Sequence, residues 1–205
     1  MRKRVAREAA VLLYTSQEKE YKQAKRRAVK TLGIQILPSN AEVAKELDEF
    51  AEEMEGSARE YLLLQMRREA LEIMKALRSF HPKLTGSVWR GTAHKGSDID
   101  IATFSSDSEA VPTQLQRGGF KITETKWISV VKRGEKKSSF HIYLLLPSGN
   151  EVEIAVRSPE NMNRPEKCEI YGGINRGLSY TQLQKVLEEN PLQKFVPNTP
   201  HFFGS

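Results

Sequence analysis

Residues 84–101 read LTGSVWRGTAHKGSDIDI. An apolar start leads into the small pair Gly86-Ser87, and the stretch closes with two carboxylates, Asp98 and Asp100, at the head of an apolar segment. Side chains at positions i and i+2 of a strand point to the same face of a sheet. The spacing therefore predicts a strand over 98–104 on which both carboxylates converge, while the isoleucines between them enter the core.

These residue types indicate chemistry on phosphates. Two anionic oxygen ligands held together are what Mg²⁺ prefers. Gly86 has no β-carbon, Ser87 brings a hydroxyl, and backbone N–H groups are free to meet an anion if a helical turn begins at Val88. A phosphate cradle beside a divalent-cation site predicts phosphoryl or nucleotidyl transfer.

The order of these elements resembles the nucleotidyltransferase superfamily of the DNA polymerase beta type, which includes CCA-adding enzymes, poly(A) polymerases and small nucleotidyltransferases. The family pattern is a strand, Gly-Ser, a helical turn often carrying Arg-Gly-Thr, and Ser-Asp-x-Asp on a second strand. The matching residues are Gly86, Ser87, Arg90, Gly91, Thr92, Ser97, Asp98 and Asp100. The resemblance covers roughly residues 82–157 and implies a nucleotidyltransferase fold, a mixed sheet flanked by helices.

The resemblance also implies a third carboxylate on a later strand. Residues 139–146 read as a strand, 147–150 as a turn and 151–157 as the returning strand. On that last strand Glu153 has apolar neighbours on both sides, which suits a metal ligand, although the family more often has Asp here. An exposed acid on an edge hairpin is the alternative for Glu153.

The implied site is thus a set of catalytic and metal-binding carboxylates, Asp98, Asp100 and Glu153, that hold two Mg²⁺ ions. By the same resemblance, Gly86 and Ser87 bind the triphosphate of the substrate. Arg90 and Lys95 are candidate counter-charges nearby; Arg90 could equally be a structural ion-pair partner and Lys95 a surface residue. His141, in the hairpin, reads as a packed or surface histidine rather than a ligand.

Other segments complete an α/β (α+β) arrangement. Residues 108–117 predict a short helix, and 120–123 and 127–131 predict two further strand segments of a mixed sheet. The expected division is a helical N-terminal region at 1–79, a nucleotidyltransferase domain at 80–190 and a C-terminal tail at 191–205, which could pack back onto the body or be disordered.

The first eighty residues carry helix signals and no catalytic motif. Thr15-x-x-Glu18 and Ser39-x-x-Glu42 predict capping boxes at two helix starts, and Gly33 is placed to end a helix. The charge in this region is uneven: bases dominate 2–30 and acids dominate 42–60. Either the basic helices bind RNA or DNA, or oppositely charged helices pack on each other.

Composition narrows the class of protein. The chain has 205 residues, one cysteine and a formal net charge of +6, so it can bury a core but cannot form an intramolecular disulfide. No apolar run is long enough to span a bilayer, and the start lacks a signal-peptide core. A cytoplasmic protein without a membrane partner is the expectation; the sequence does not give its oligomeric state.

The resulting expectation is a magnesium-dependent enzyme that moves a nucleoside monophosphate, AMP from ATP in the first instance, to a hydroxyl acceptor. An RNA 3′ end is the first candidate acceptor because of the basic N-terminal helices. A protein side chain comes next, as in small nucleotidyltransferases that adenylylate a partner toxin. A non-catalytic nucleotide- or nucleic-acid-binding module on the same fold is the remaining alternative.

Overall fold

The computed structural model describes residues 1–132, 135–164 and 166–197, with the backbone alone at 130–132 and 135–137. In those ranges a mixed six-stranded sheet is flanked by helices and follows a helical N-terminal region. This confirms the expected α+β fold class. None of the helices described is long and apolar enough to cross a membrane.

Four helices precede the sheet. They are α1 (Arg2–Tyr14), α2 (Tyr21–Leu32), α3 (Asn40–Glu55) and α4 (Ser57–Ala76). The capping box at Ser39 and Glu42 is confirmed, as is Gly33, which ends α2 in the left-handed conformation at φ 64°. The capping box predicted at Thr15 and Glu18 is wrong, because α2 begins six residues after Thr15. The Thr15 hydroxyl instead donates to the Val11 carbonyl at 2.8 Å and closes α1.

The remaining elements build the sheet and its cover. The strands are β1 (Lys83–Thr85), β2 (Ile99–Phe104), β3 (Ile122–Lys132), β4 (Glu135–Leu145), β5 (Glu151–Arg157) and β6 (Leu178–Ser179). The helices are α5 (Gly86–Arg90), α6 (Ala110–Arg117) and α7 (Tyr180–Glu189). The sheet order is β3-β4-β5-β2-β1-β6, and β2 and β5 are the parallel pair.

The prediction of two strand segments between residues 120 and 131 is wrong in detail. One continuous strand, β3, runs through both, with a register irregularity between Ile122 and Glu124. The polar stretch between the two apolar segments is held in the strand by its pairing with β4. The residue pattern of β3 alone does not reveal that pairing.

The described residues form two apolar cores. The smaller is formed by α1, α2 and α3 around Val5, Ala9, Ala24, Ala28 and Val43. The larger lies between the sheet and the helices α4 to α7, and α4 contributes Met66, Ile73 and Met74 to it. The apolar side of α4 therefore packs with the sheet. The expected domain boundaries after residues 79 and 190 stay a prediction.

Two buried arginines of α4 hold the motif segment in place. Arg59 donates to the carbonyls of Thr92 and Ala93, at 3.0 and 2.8 Å, and forms ion pairs with Asp48 and Glu52. Arg67 is fully buried and donates to the carbonyls of Val88 and Trp89, at 3.1 and 3.0 Å. Both side chains donate to carbonyls at the end of the short helix α5 and in the turn that follows it, where intrahelical partners run out.

The first residues of the tail pack back onto the body. Arg67 donates to the carbonyls of Pro191 and Gln193, at 2.5 and 2.8 Å, and Phe195 exchanges two hydrogen bonds with Arg90. Residues 198–205, the end of the predicted tail, lie outside the described residues.

Candidate active site

The three predicted carboxylates come together on two neighbouring strands. Asp100 on β2 stands opposite Glu153 on the parallel strand β5, and Asp98 precedes β2 by one residue. One ligand oxygen from each of the three carboxylates lies within 4.8 Å of those of the other two. Register and alternation thus place three carboxylates at one point of the sheet, as the sequence predicted.

The electrostatic environment of the three carboxylates favours the binding of a cation. Burial raises the pKa of Asp100 to about 8, and the negative charges of Asp98 and Glu153 add to the rise. The pKa of Asp98 is raised as well, first by burial and then by the charges of Glu153 and Glu151 against an opposing backbone hydrogen bond. Like charges this close oppose each other's ionisation, and a divalent cation removes that repulsion. A set of carboxylate oxygens fits Mg²⁺.

The pKa of Glu153 shifts in the opposite direction, because two neighbouring side chains form hydrogen bonds with its carboxylate. His141 Nδ1 lies 2.5 Å from Glu153 Oε1, and the Tyr143 hydroxyl donates to the same oxygen at 2.9 Å. These hydrogen bonds, that of His141 first, lower the pKa of Glu153 against the effect of burial. Glu153 is therefore the member of the cluster whose ionised form is stabilised before any cation binds.

The sequence reasoning missed His141 and Tyr143. The predicted turn at 147–150 already contained the signal, since a hairpin centred there pairs Tyr143 with Glu153 and places His141 on the same face. The Ser139 hydroxyl lies 2.6 Å from His141 Nε2. A neutral imidazole satisfies both contacts, with Nδ1–H donating to the carboxylate and Nε2 accepting from the serine.

Gly86 is required by its position beside Asp100. Its φ is +67°, and a β-carbon built there would lie 2.8 Å from Asp100 Cγ and closer still to a carboxylate oxygen. Gly86 begins α5, two residues earlier than the helical turn expected at Val88. The backbone at Gly86 therefore passes directly beside the Asp100 carboxylate, and Gly86 and Ser87 line the same cavity as Asp98 and Asp100.

Arg90 is largely occupied by the protein itself. It is 5% exposed, and its guanidinium donates to the Phe195 carbonyl at 2.9 Å and to Cys168 Sγ at 3.2 Å. It also lies 4.3 Å from the ring centre of Trp89 and 4.6 Å from that of Tyr171. No carboxylate pairs with it among the residues described. These contacts favour a structural role for Arg90. That role rests on hydrogen bonds and ring contacts instead of the ion pair that the sequence suggested.

Lys95 lies at the surface of the site. Its side chain is exposed, its Nζ lies 5.1 Å from the Tyr14 ring centre, and its backbone N–H donates to Glu55 at 3.1 Å. It lines the cavity that contains Asp98 and Asp100. For both Lys95 and Arg90, triphosphate binding stays a prediction.

A cavity of about 1400 Å³ opens in front of the carboxylates. The lining includes residues of the motif segment and, from the N-terminal region, Lys19 before α2 and Tyr21 and Lys22 at the start of α2. Burial raises the pKa of Tyr21 to a value well above its usual range. The N-terminal helical region thus contributes part of the cavity lining. No local motif in the sequence of that region predicted this contribution.

The model of the nucleotidyltransferase domain family matches residues 67–172, half of the chain. The match includes every carboxylate of the cluster and the Gly86-Ser87 pair. The resemblance to the polymerase beta type of nucleotidyltransferase is confirmed. No curated protein sequence matches the chain significantly.

Solved structures give distant matches. They include Cid1 with the UTP analogue UMPNPP (20% identity, TM-score 0.36, 55% of this chain and 36% of that chain). A cytoplasmic RNA terminal U-transferase follows (20% identity, TM-score 0.32, 55% and 35%), as does Cid1 with its product ApU (18% identity, TM-score 0.32, 55% and 37%). The matched part spans little more than a third of each of these chains.

Proposed function

Because this chain belongs to the nucleotidyltransferase domain family, we propose that it transfers a nucleoside monophosphate from a nucleoside triphosphate to an acceptor hydroxyl. One observation carries the proposal. Asp98, Asp100 and Glu153 converge within 4.8 Å of one another, and Asp98, Asp100 and the Gly86-Ser87 pair line a cavity of about 1400 Å³. Three carboxylates and a close backbone approach are what the transfer of a charged phosphoryl group requires.

The carboxylates act as ligands rather than as acids. Asp98 and Asp100 would hold both Mg²⁺ ions and Glu153 one of them. When bound, such ions would polarise the phosphate, activate the attacking hydroxyl and stabilise the leaving pyrophosphate. The raised pKa of Asp100 makes its deprotonation part of binding the cation.

The substrate phosphates would lie over Gly86 and Ser87. The Ser87 hydroxyl and the adjacent backbone donate to phosphate oxygens, and Lys95 at the rim adds positive charge. Preorganised donors of this kind contribute more than acid–base residues, because charge develops on phosphate oxygens in the transition state. ATP is the proposed nucleotide, and the acceptor is the 3′ hydroxyl of an RNA.

The test is a label-transfer assay with the full chain. The protein is incubated with Mg²⁺ and each α-³²P-labelled nucleoside triphosphate in turn, with RNA, with lysate protein, or alone. Asp98→Asn/Asp100→Asn removes two ligands at nearly constant shape, and Glu109→Gln/Glu160→Gln, at two exposed residues, serves as the charge-matched control. Label on RNA from ATP with wild type and control, and none with the double variant, is expected.

Other outcomes separate the alternatives. Label on protein alone would move the acceptor to a protein hydroxyl, and label from UTP instead of ATP would correct the nucleotide. Nucleotide binding without label on any acceptor, at all Mg²⁺ concentrations, would overturn the proposal in favour of a non-catalytic module.

A further inference from the structure

The basic charge of the N-terminal helices is divided between two helices with different surroundings. On α1, three of the four bases pair with acids of α3: Arg2 lies 3.8 Å from Glu42, Lys3 lies 3.6 Å from Glu46, and Arg7 pairs with Glu46 and Glu53. This helix therefore uses its bases to pack against its acidic neighbour. Of the two interpretations of the sequence, charge pairing describes α1.

Most bases of helix α2 form no ion pair with the described residues. It carries five, namely Lys22, Lys25, Arg26, Arg27 and Lys30, and no acid. Arg27 pairs with Glu18 at 3.2 Å. Lys22, Arg26 and Lys30 are exposed, and in the described part of the chain none of the three forms an ion pair. Their charge is thus available to a partner.

These three residues form one row. Positions 22, 26 and 30 are each four residues apart, so they share a helix face and succeed one another by about 6 Å along the axis. The opposite face carries Ala24 and Ala28, which are fully buried in the N-terminal core. The helix is therefore fixed by its alanine face and presents the basic row outward.

The row begins at the candidate active site. Lys22, together with Lys19 and Tyr21 just before it, lines the cavity that also contains Asp98 and Asp100. Arg26 and Lys30 lie outside the cavity, on later turns of the same face. A polyanion that follows the row inward would deliver its end to the carboxylates.

We propose that the Lys22–Arg26–Lys30 face of α2 binds the phosphate backbone of a single-stranded nucleic acid and delivers its 3′ end to the cavity. This rests on the proposed nucleotidyl transfer, for which the strand is the acceptor. A row of unpaired cations matches the repeated charge of such a strand, whereas a folded protein acceptor does not require it. Because the row meets phosphates rather than bases, binding is sequence-tolerant and sensitive to salt.

The sharpest variant is Arg26→Gln/Lys30→Gln, which leaves the cavity lining intact. Its charge-matched control is Arg68→Gln/Lys75→Gln, two exposed residues of α4. Binding of a 5′-fluorescein-labelled 20-nucleotide RNA is measured by anisotropy between 50 and 300 mM NaCl, and ATP binding is measured separately. A triple variant that adds Lys22→Gln extends the series.

The double variant should bind RNA more weakly by on the order of 10-fold at 0.1 M salt, with the slope of log K against log salt reduced by about 1.4. ATP affinity should stay unchanged, and the control should match wild type. Equal RNA affinity and slope in wild type and double variant would overturn the inference. If wild type and the double variant transfer label to RNA equally well, the inference would be overturned too, while the proposed function would stand.

If instead no label reaches any acceptor but RNA binding still depends on Arg26 and Lys30, the binding surface stands and the proposed function fails. If wild type binds no RNA and labels protein, the surface fails and the transfer chemistry stands.

Discussion

His141 Nδ1 lies 2.5 Å from Oε1 of Glu153, and the Tyr143 hydroxyl meets the same oxygen. Oε2 is left free of these two contacts. The longer arm of Glu153, where the family more often has Asp, is thus fixed by two partners on the neighbouring strand. Such partners orient a ligand and tune its affinity for the metal.

We expect His141→Ala to raise the Mg²⁺ concentration for half-maximal activity about 10-fold, with much of the rate recovered at high Mg²⁺, because the carboxylate is still present but less ordered. Tyr143→Phe should give a smaller shift. A Mg²⁺ titration of label transfer measures both, with Tyr61→Phe, at an exposed tyrosine, as control. An unchanged Mg²⁺ requirement in both variants would contradict a positioning role.

Gly86→Ala should abolish transfer, because its β-carbon would collide with the Asp100 carboxylate at a backbone φ of +67°. Gly119→Ala separates collision from strain, since Gly119 also has a positive φ, +80°, but nothing within 4 Å of its β-carbon. Both should lose roughly 1–2 kcal/mol of stability from the left-handed conformation. Thermal unfolding and label transfer are compared, and activity retained by Gly86→Ala would refute the close approach.

Metal-free protein should become less stable as pH rises from about 5 to about 8, through the range between the unfolded and folded pKa values of Asp100. The pKa of Asp100 is near 8 in the fold and about 3.9 when unfolded, so the folded state binds more protons between these values and stability falls with increasing pH. Asp100→Asn should therefore raise Tm at pH 9 in EDTA, by about 2–5 °C. At pH 5 its Tm gain should be smaller.

Mg²⁺ should reverse that trend in the wild type. Cation binding needs the deprotonated carboxylate, so the gain in Tm on adding 10 mM Mg²⁺ should be larger at pH 9 than at pH 6, and should be small in Asp100→Asn. Equal gains at the two pH values would show that Asp100 does not ligate the cation.

Arg67→Met should destabilise the protein by about 3 kcal/mol, because four carbonyls would lose their buried donor. Activity should also fall, since Val88 and Trp89 belong to α5, which begins at Gly86. Arg68→Met, at the exposed neighbour, is the matched control. Denaturant unfolding measures the loss, and equal stability of the two variants would contradict the structural role of Arg67.

Much of the site could be read from local pattern. The alternation around Asp98 and Asp100, the Gly-Ser pair and the turn before Glu151 are all short-range signals, and strand periodicity converts them into positions on a sheet. The hairpin turn even fixed the face of Glu153. The two confirmed capping features, at Ser39 and Gly33, are equally local.

Only the tertiary structure decided which charges are free. Arg90 and Arg67 are buried against carbonyls more than twenty residues away along the chain, and α1 and α2 look alike in sequence but differ in what packs beside them. Long-range contacts of this kind depend on how the helices dock, which no periodicity encodes. The sequence by itself determined the carboxylate motif and the sheet that bears it, whereas docking of the helical region produced the cavity and the exposed basic row of α2.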